Sequence, residues 1–387
     1  MSLLGLDVIV VGGGIGGLTA AIALAQRGAQ VRVFEQAAEI AEVGAGLQIS
    51  PNGMCVFSAL GLKSEITQAA VRARGVELRD YRQSRLVTRL DLGRLGEDQG
   101  YYFLHRADLI DILLHAAQSA GVVVETGQPV ASISDGAVTL KNGASHSAAL
   151  IVAADGLHSA GRKFLNGTSA PFFTGQVAWR AVVPNTIDHP EVARVHMAPR
   201  RHIVSYPLRG GEFVNLVAVQ ERADWSEEGW SHQDSPDNLR VSFADFSPLV
   251  QNMMDAVQVT GKWGLFRHPV APHWHGDAVA LLGDAAHPTL PFMAQGAVMA
   301  IEDAWVLAAS LDQTSTLPEG LAAYQLARRE RVSKIVETAN KNAWRYHLSF
   351  PPLRFAAHSA MRLMGAVAPG KMMGQFDWIY RHDVTQI

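Results

Sequence analysis

Residues Val10 to Gln36 read VVGGGIGGLTAAIALAQRGAQVRVFEQ, and the glycines of this stretch restrict the fold more than any other feature of the chain. Gly12, Gly14 and Gly17 have the spacing G-x-G-x-x-G, which lets the backbone turn tightly and brings a helix N-terminus against a pyrophosphate. The spacing alone recurs in proteins that bind nothing, so its surroundings decide. Leu6 to Val11 reads as a buried strand and Ile15 to Arg27 as a helix with Leu18, Ala21, Ile22 and Ala25 on one face. Gly28 ends the helix, and Val31 to Glu35 reads as a second strand. Glu35 falls eighteen residues after Gly17, where a carboxylate can accept both hydroxyls of an adenosine ribose. An acid there suits a free 2′-hydroxyl, hence FAD or NAD rather than NADP, and does not choose between the two.

The 387 residues suffice for two domains and a large core. A net charge of −3 argues against a nucleic-acid partner. No apolar run approaches the ~20 residues of a membrane span, and the glycine loop begins too early to follow a signal peptide, so the expectation is a cytoplasmic protein with no membrane partner. The single cysteine, Cys55, excludes an internal disulfide and a C-x-x-C redox pair. There is no second glycine fingerprint, so a nicotinamide cofactor would visit a site without its own Rossmann unit.

Alternating patterns fill Gly75 to Leu92 and Gln176 to Val219, where VAWRAVVP, RRHIVSYPL and EFVNLVAVQ read as antiparallel strands. Helical patterns fill Ala107 to Ala120, Ile301 to Leu311 and Leu321 to Trp344. The fold class is therefore α/β, a Rossmann-like domain with an inserted antiparallel β-rich substrate domain and C-terminal helices. The expected limits are 1–74, 93–175 and 268–320 for the discontinuous nucleotide-binding domain, 75–92 and 176–267 for the substrate domain, and 321–387 for the helical region. The long helices after Pro318 are compatible with a homodimer. Ala223 to Asn238 reads as a surface loop followed by a helix, and the cluster Arg328, Arg329, Arg331 and Lys334 as a solvated helix face.

Two further stretches carry chemistry. In VALLGDAAHPTLPFMAQGAVMAIEDA, from Val279, Asp284 at a strand end can accept from ribityl or ribose hydroxyls. The amides of Gln295, Gly296 and Ala297 open a helix and can donate to a flavin carbonyl that becomes anionic on reduction. LIVAADGLHSAGRKFL, from Leu150, is again strand, then Asp155-Gly156, then Arg162.

Together, in this order, the three stretches resemble the FAD-dependent single-component aromatic hydroxylases, the group of salicylate hydroxylase, 3-hydroxybenzoate 6-hydroxylase and 6-hydroxynicotinate 3-monooxygenase. The resemblance covers about the first 345 residues. It implies that the three glycines with Glu35 and Gln36 hold the ADP half of FAD, that Arg106 of FLHRADL contacts its flavin side, and that Val130 lies against the adenine. It further implies that Asp155 serves FAD and NAD(P)H, that Asp284 holds the ribityl chain, and that Pro291 lies beside the isoalloxazine. The resemblance also places Gln48, in GAGLQISPN, on the segment that lines the space between flavin and substrate. The plainer readings are a surface arginine for Arg106, a core valine for Val130 and a cap for Asp155.

PRRHIVSYPL contains His202 and Tyr206, which share a strand face roughly 13 Å apart and can bracket a small ring. The resemblance implies reduction of FAD by NADH or NADPH, addition of O2 to give a flavin hydroperoxide, and oxygen transfer to the ring of a small phenol or hydroxypyridine that carries a carboxylate. Full transfer of a phenol proton to histidine in water costs about 5 kcal/mol, so the pocket must stabilise the phenolate, with His202 as base or relay. The alternatives are an oxidase or dehydrogenase on the same fold and a flavin-binding interaction protein; the W-x-W-x-I-P motif of flavin halogenases is absent. His268, His273, His275 and His287 lie close in sequence, but a loop and the flavin motif account for them without a metal.

Overall fold

The structure, a computed structural model, describes residues 2–40, 45–96, 99–222, 224 and 232–386. The apolar run DVIVV forms β1 (Asp7–Val11), the glycine loop leads into α1 (Ile15–Ala25), and β2 (Gln30–Phe34) follows Gly28, whose φ of +94° turns the chain back. In chain order the other elements that build the site are β3 (Gly46–Ile49), α2 (Arg106–Ser119), β4 (Val123–Glu125), β5 (Leu150–Ala153), β6 (Phe172–Pro184) and β7 (Val192–Ala198). Then come β8 (Arg201–Leu208), β9 (Phe213–Glu221), β10 (Thr260–Arg267), β11 (Val279–Leu281), α3 (Gly296–Gln313), α4 (Leu317–Tyr346) and α5 (Pro351–Val367).

Five parallel strands in the order β11-β5-β1-β2-β4 form the nucleotide sheet, with Val10 opposite both Val152 and Val33. Its central strands are continuous apolar runs because protein covers both faces: Val8, Ile9, Val10, Ile151 and Val152 are all fully buried. α1 is buried nearly all round rather than along one stripe, since it lies between the sheet, α2 and α3. Residues 130–147 form a separate three-stranded antiparallel sheet.

The second layer is an eight-stranded sheet in the order 233–234, β10, β6, β9, β8, β7, 75–80, 86–91. It is antiparallel except where β7 runs parallel to Gly75–Asp80, a pairing open to it because the two strands are far apart in sequence and not joined by a hairpin. The period of two divides β6 between two environments. Val177, Trp179, Ala181 and Val183 pack into a core under the helices Pro236–Ser242 and Pro248–Asp255, while Arg180 faces the interior cavity. We propose that the two sheets mark the two discontinuous domains, with limits at the four junctions expected from the sequence.

α4 opens with a capping box in which the Thr316 hydroxyl and the Glu319 carboxylate each accept the other's backbone amide. Its basic cluster corrects the expectation of a solvated face. Arg328 is 1% exposed, with Nε 2.7 Å from Asp303 and NH2 2.7 Å from Glu302; Arg331 also bonds Glu302, and only Arg329 and Lys334 face solvent. Charge runs on a helix cannot reveal that carboxylates wait on the neighbouring helix. Of the expected loop at Ala223 to Asn238, residues 223 and 225–231 lie outside the described residues, and Gln233–Asp234 joins the sheet edge.

Candidate functional site

The glycine loop supports its own turn before it meets a ligand. Gly12 has φ +105° and a Cβ there would sit 2.4 Å from the Ala154 carbonyl oxygen; a Cβ on Gly17 would sit 2.0 Å from that of Gly12. Gly14, which caps α1, is different: its φ of −78° suits any residue and nothing lies within 4 Å of an added Cβ. Gly14 lines a cavity of about 490 Å³, so the open side of the loop, with the amides that begin α1, faces free space. Glu35 accepts from the amides of Gly13 (2.7 Å) and Ala37 (2.8 Å), which fixes its carboxylate and leaves further lone pairs for ribose hydroxyls.

The same cavity reaches the second helix terminus. Gly296 and Ala297, at the start of α3, line it together with Arg106, Asp284 and Pro291. Ala294, just before, has a left-handed φ of +51°, a conformation held by the surrounding packing. Gln295 is 1% exposed and bonds Ser50 (3.0 Å) and Asn52 (3.3 Å); Asn52 in turn bonds Glu302 (2.7 Å). Asp303 accepts from the Gly283 amide (3.2 Å) and lies 2.5 Å from His287 Nε2. One buried charged network thus ties the Gly283-Asp284 turn and the start of α3 to the interior of α4. Burial opposes ionisation of Glu302 and Asp303, yet Arg328 with Arg331, and His287 with Arg328, hold the two carboxyls below their ordinary range. Asp284 is accessible within the cavity but densely enclosed, and this desolvation raises its pKa against the pull of His287, Arg106 and His268.

These features fit FAD. The loop leaves its amides open to the cavity, as a pyrophosphate would need, the fixed Glu35 carboxylate keeps lone pairs that could accept from a ribose, and Asp284 and the amides that open α3 line the same cavity.

Beyond that end, the cavity is floored by the large sheet. His202, Val204 and Tyr206 project from β8 on one face, Val217 and Val219 from β9, and Arg180 from β6. Gly46 lets β3 pack against this floor, because a Cβ there would lie 2.7 Å from the Tyr206 ring; its amide donates to Asn215 Oδ1 at 2.7 Å. Tyr206 stacks on Phe103 with centroids 5.0 Å apart, and Tyr101 donates to Gln48 Oε1 at 2.8 Å. Burial pushes the Tyr206 hydroxyl up to about 12, against lowering by Arg180 and Gln48, and raises Tyr101 and Tyr346 as well, so these phenols stay protonated and donate. Burial, reinforced by His347, holds His202 well below the usual histidine range, so it is a neutral acceptor. The chamber therefore combines a neutral imidazole, a guanidinium and aromatic walls.

Of the residues singled out in the sequence, Gly14, Gln48, Arg106, His202, Tyr206, Asp284, Pro291, Gly296 and Ala297 line this one cavity. Gly12 and Gly17 shape the loop behind it, and Gln295 supports the helix start from the side. Gln36 is exposed beside Glu35. Val130 lies half-buried at the start of a strand in the small sheet, two residues after Gln128, whose amide donates to the Glu35 carbonyl. Asp155 Oδ2 accepts from the amides of Ala160 and Gly161 at the start of the helix Ala160–Asn166, while Gly156 reaches the cavity. Among the described residues no group of His, Cys, Asp or Glu is arranged to hold a metal.

Sequence reasoning missed Arg180, Asn215, Tyr101, Tyr346 and Tyr380. Arg180 and Asn215 were detectable as polar residues on otherwise apolar alternating strands; the tyrosines arrive from distant segments and carry no local signal.

Residues 5–339 match the family model described as FAD binding domain. The chain is similar to 3-hydroxybenzoate 6-hydroxylase of Polaromonas naphthalenivorans (strain CJ2), 36% identical over 88% of both chains. It is also similar to a 3-amino-4-hydroxybenzoate 2-monooxygenase of Streptomyces platensis, 32% identical over 98% of this chain and 97% of the other. Among solved structures it superposes on Klebsiella pneumoniae HpxO complexed with FAD and uric acid, with a TM-score of 0.84 and 28% identity over 96% of this chain and 97% of that one.

Proposed function

The chain belongs to the FAD-binding family of flavin-dependent aromatic monooxygenases, and from that membership we propose that it spends NAD(P)H and O2 on hydroxylating a small phenol or hydroxypyridine that carries a carboxylate. Its cofactor is FAD. The observation that carries the reading is the single cavity shared by the glycine loop, the α3 terminus, His202 and Arg180. Bound flavin, once reduced, supplies activated oxygen; the residues of this chain do the rest.

Arg180 is a cation that a substrate carboxylate can meet. The neutral imidazole of His202 accepts the ring hydroxyl proton, because a phenolate is the stronger carbon nucleophile. Tyr206 and Gln48 orient the ring by hydrogen bonds, and Pro291 borders the flavin end of the chamber. Glu35 with Gln36, Arg106, Val130, Asp155 and Asp284 make up the proposed cofactor contacts along with the two helix termini.

The relatives' names support hydroxybenzoate-like rings, and no helix among the described residues is long and apolar enough to cross a membrane. The proposal includes the cytoplasm, where NAD(P)H is supplied, and pairing of two copies through α5, which exposes Phe355, Leu363 and Val367.

The test is anaerobic reduction of the bound flavin by NADH, repeated with each of a panel of hydroxybenzoates and hydroxypyridines, followed by turnover in ¹⁸O2. Ligand-accelerated reduction and labelled product are expected. Reduction without labelled product from any ligand would mean an oxidase or dehydrogenase instead.

A further inference from the structure

His202 does not end at the cavity wall. Its Nδ1 lies 2.7 Å from His347 Nε2, and His347 Nδ1 lies 2.9 Å from Glu221 Oε1. The imidazoles are 2% and 4% exposed as residues, whereas the Glu221 side chain is 31% exposed. The three residues come from β8, from the position after α4, and from the last position of β9. Backbone bonds lock that junction: the Arg200 amide donates to the His347 carbonyl (3.1 Å) and the Glu221 amide to the Arg200 carbonyl (2.9 Å).

We infer that His202, His347 and Glu221 form a proton relay that carries the substrate hydroxyl proton from the cavity to solvent. The inference rests on the proposed hydroxylation. An ionised Glu221 only accepts, so it fixes the His347 proton on Nδ1 and leaves Nε2 as an acceptor. His347 Nε2 in turn fixes the His202 proton on Nδ1. The remaining nitrogen of a cavity-lining His202, Nε2, then carries a lone pair, which is the state a general base needs.

The proton count closes. The substrate O–H bond breaks and Nε2–H forms on His202; the Nδ1 proton of His202 moves to His347 Nε2; the Nδ1 proton of His347 moves to Glu221 and from there to water. Each imidazole ends neutral in its other tautomer, so no cation stays in the desolvated chamber. Reprotonation of the product oxygen runs the chain backwards and restores the starting tautomers. The other groups that face the relay do not compete for the proton. Tyr346 lies against His202, with centroids 5.2 Å apart, and burial keeps it protonated. Phe292 is apolar, and the Arg200 guanidinium pairs with Glu221 at 3.1 Å. Arg180 and Tyr206 share the cavity with His202.

Two measurements on the FAD-loaded protein test this. Long-range ¹H–¹⁵N spectra of ¹⁵N-histidine protein report the tautomers, with His347→Gln used to assign the pair. Protonated Nδ1 and bare Nε2 are expected on both rings, with mixed tautomers at His347 in Glu221→Gln. In single-turnover hydroxylation of 3-hydroxybenzoate, or of whichever panel ring the wild type hydroxylates, Glu221→Gln should slow oxygen transfer about tenfold at pH 7, the equivalent of one pKa unit. The rate should recover at higher pH and in Glu221→Asp, and flavin reduction by NADH should be unchanged.

A proton on His202 Nε2 overturns the relay whatever the protein hydroxylates. So does a Glu221→Gln protein with wild-type tautomers and an unshifted pH profile, a result that leaves the hydroxylase reading intact. If the wild type hydroxylates no ring although the tautomers are as expected, the functional reading fails and the substrate-proton path fails with it.

Discussion

Arg328 Nε donates to Asp303 Oδ1 at 2.7 Å in a part of the core where neither side chain exceeds 1% exposure. The pair belongs to the network that holds His287, Glu302 and the start of α3. Removing one member of such a set leaves carboxylates buried without compensation, which costs about 3–5 kcal/mol. Arg328→Met should therefore lose about that much stability in urea denaturation. A loss below about 1 kcal/mol would show that water or a rearranged partner replaces the guanidinium.

The glycines of the loop separate folding from cofactor binding. Gly17→Ala drives a Cβ to 2.0 Å from the Gly12 oxygen, so the loop must distort and soluble protein should be scarce. Gly14→Ala meets no protein atom and suits the local backbone, so the apoprotein should lose no more than about 1 kcal/mol, the usual cost of alanine at an N-cap. If the pyrophosphate approaches at Gly14, FAD titration by flavin fluorescence should show at least about tenfold weaker binding. Unchanged FAD affinity in Gly14→Ala would move the pyrophosphate away from that residue.

The first βαβ unit was legible because its signals are local: an apolar strand, three glycines at fixed spacing and an acid on the next strand all lie within Val8 to Glu35. His202 and Tyr206 were legible because a strand's period puts them on one face. What closes the chamber was not. Tyr346 and Tyr380 enter from the C-terminal helices, and His347 meets His202 across 145 residues. Arg328 was misread for the same reason, since a basic residue on a helix is buried only if a partner helix supplies carboxylates, and no periodicity of α4 reports what α3 carries.

Outside the cavity, His189 gives the fold an acid sensitivity. It is 5% exposed and bonded to Ser205 and Pro190 (both 2.9 Å), and burial lowers its pKa to about 4. The unfolded chain takes up a proton near pH 6.5 and the folded chain only near 4, so stability falls as pH drops through this window and levels off below it. Between pH 7 and pH 5 the single site accounts for about 2 kcal/mol. Urea denaturation at the two pH values should show that difference shrink by about this amount in His189→Gln. An equal slope in both proteins would mean that His189 is protonated in the fold as readily as outside it.

His202→Ala removes the proposed base and leaves the flavin end of the cavity untouched. Loss of a general base lowers the chemical step by about 10²-fold or more, whereas hydride transfer from NADH does not use that proton. Rapid mixing should therefore show hydroxylation slowed about 10²-fold, with flavin reduction within about twofold of wild type and reduced oxygen escaping as peroxide. Equal product yield per NADH in the variant would remove His202 from the chemistry.

The proposed substrate carboxylate has its test in Arg180. It faces the cavity from β6 beside Trp263, whose ring centroid lies 5.9 Å from the guanidinium carbon, and a carboxylate drawn to it would gain a charge-assisted bond in a partly dry chamber. Truncating one partner of such a pair costs about 2–5 kcal/mol. Arg180→Met should thus lower kcat/KM for a carboxylated ring by about 30-fold or more, while for the same ring with an amide in place of the carboxylate the variant and the wild type should differ little. The cycle of two proteins and two ligands isolates the pair. If both ligands lose equally, the residue supports the sheet instead, and the acidic group of the substrate must be met elsewhere or be absent.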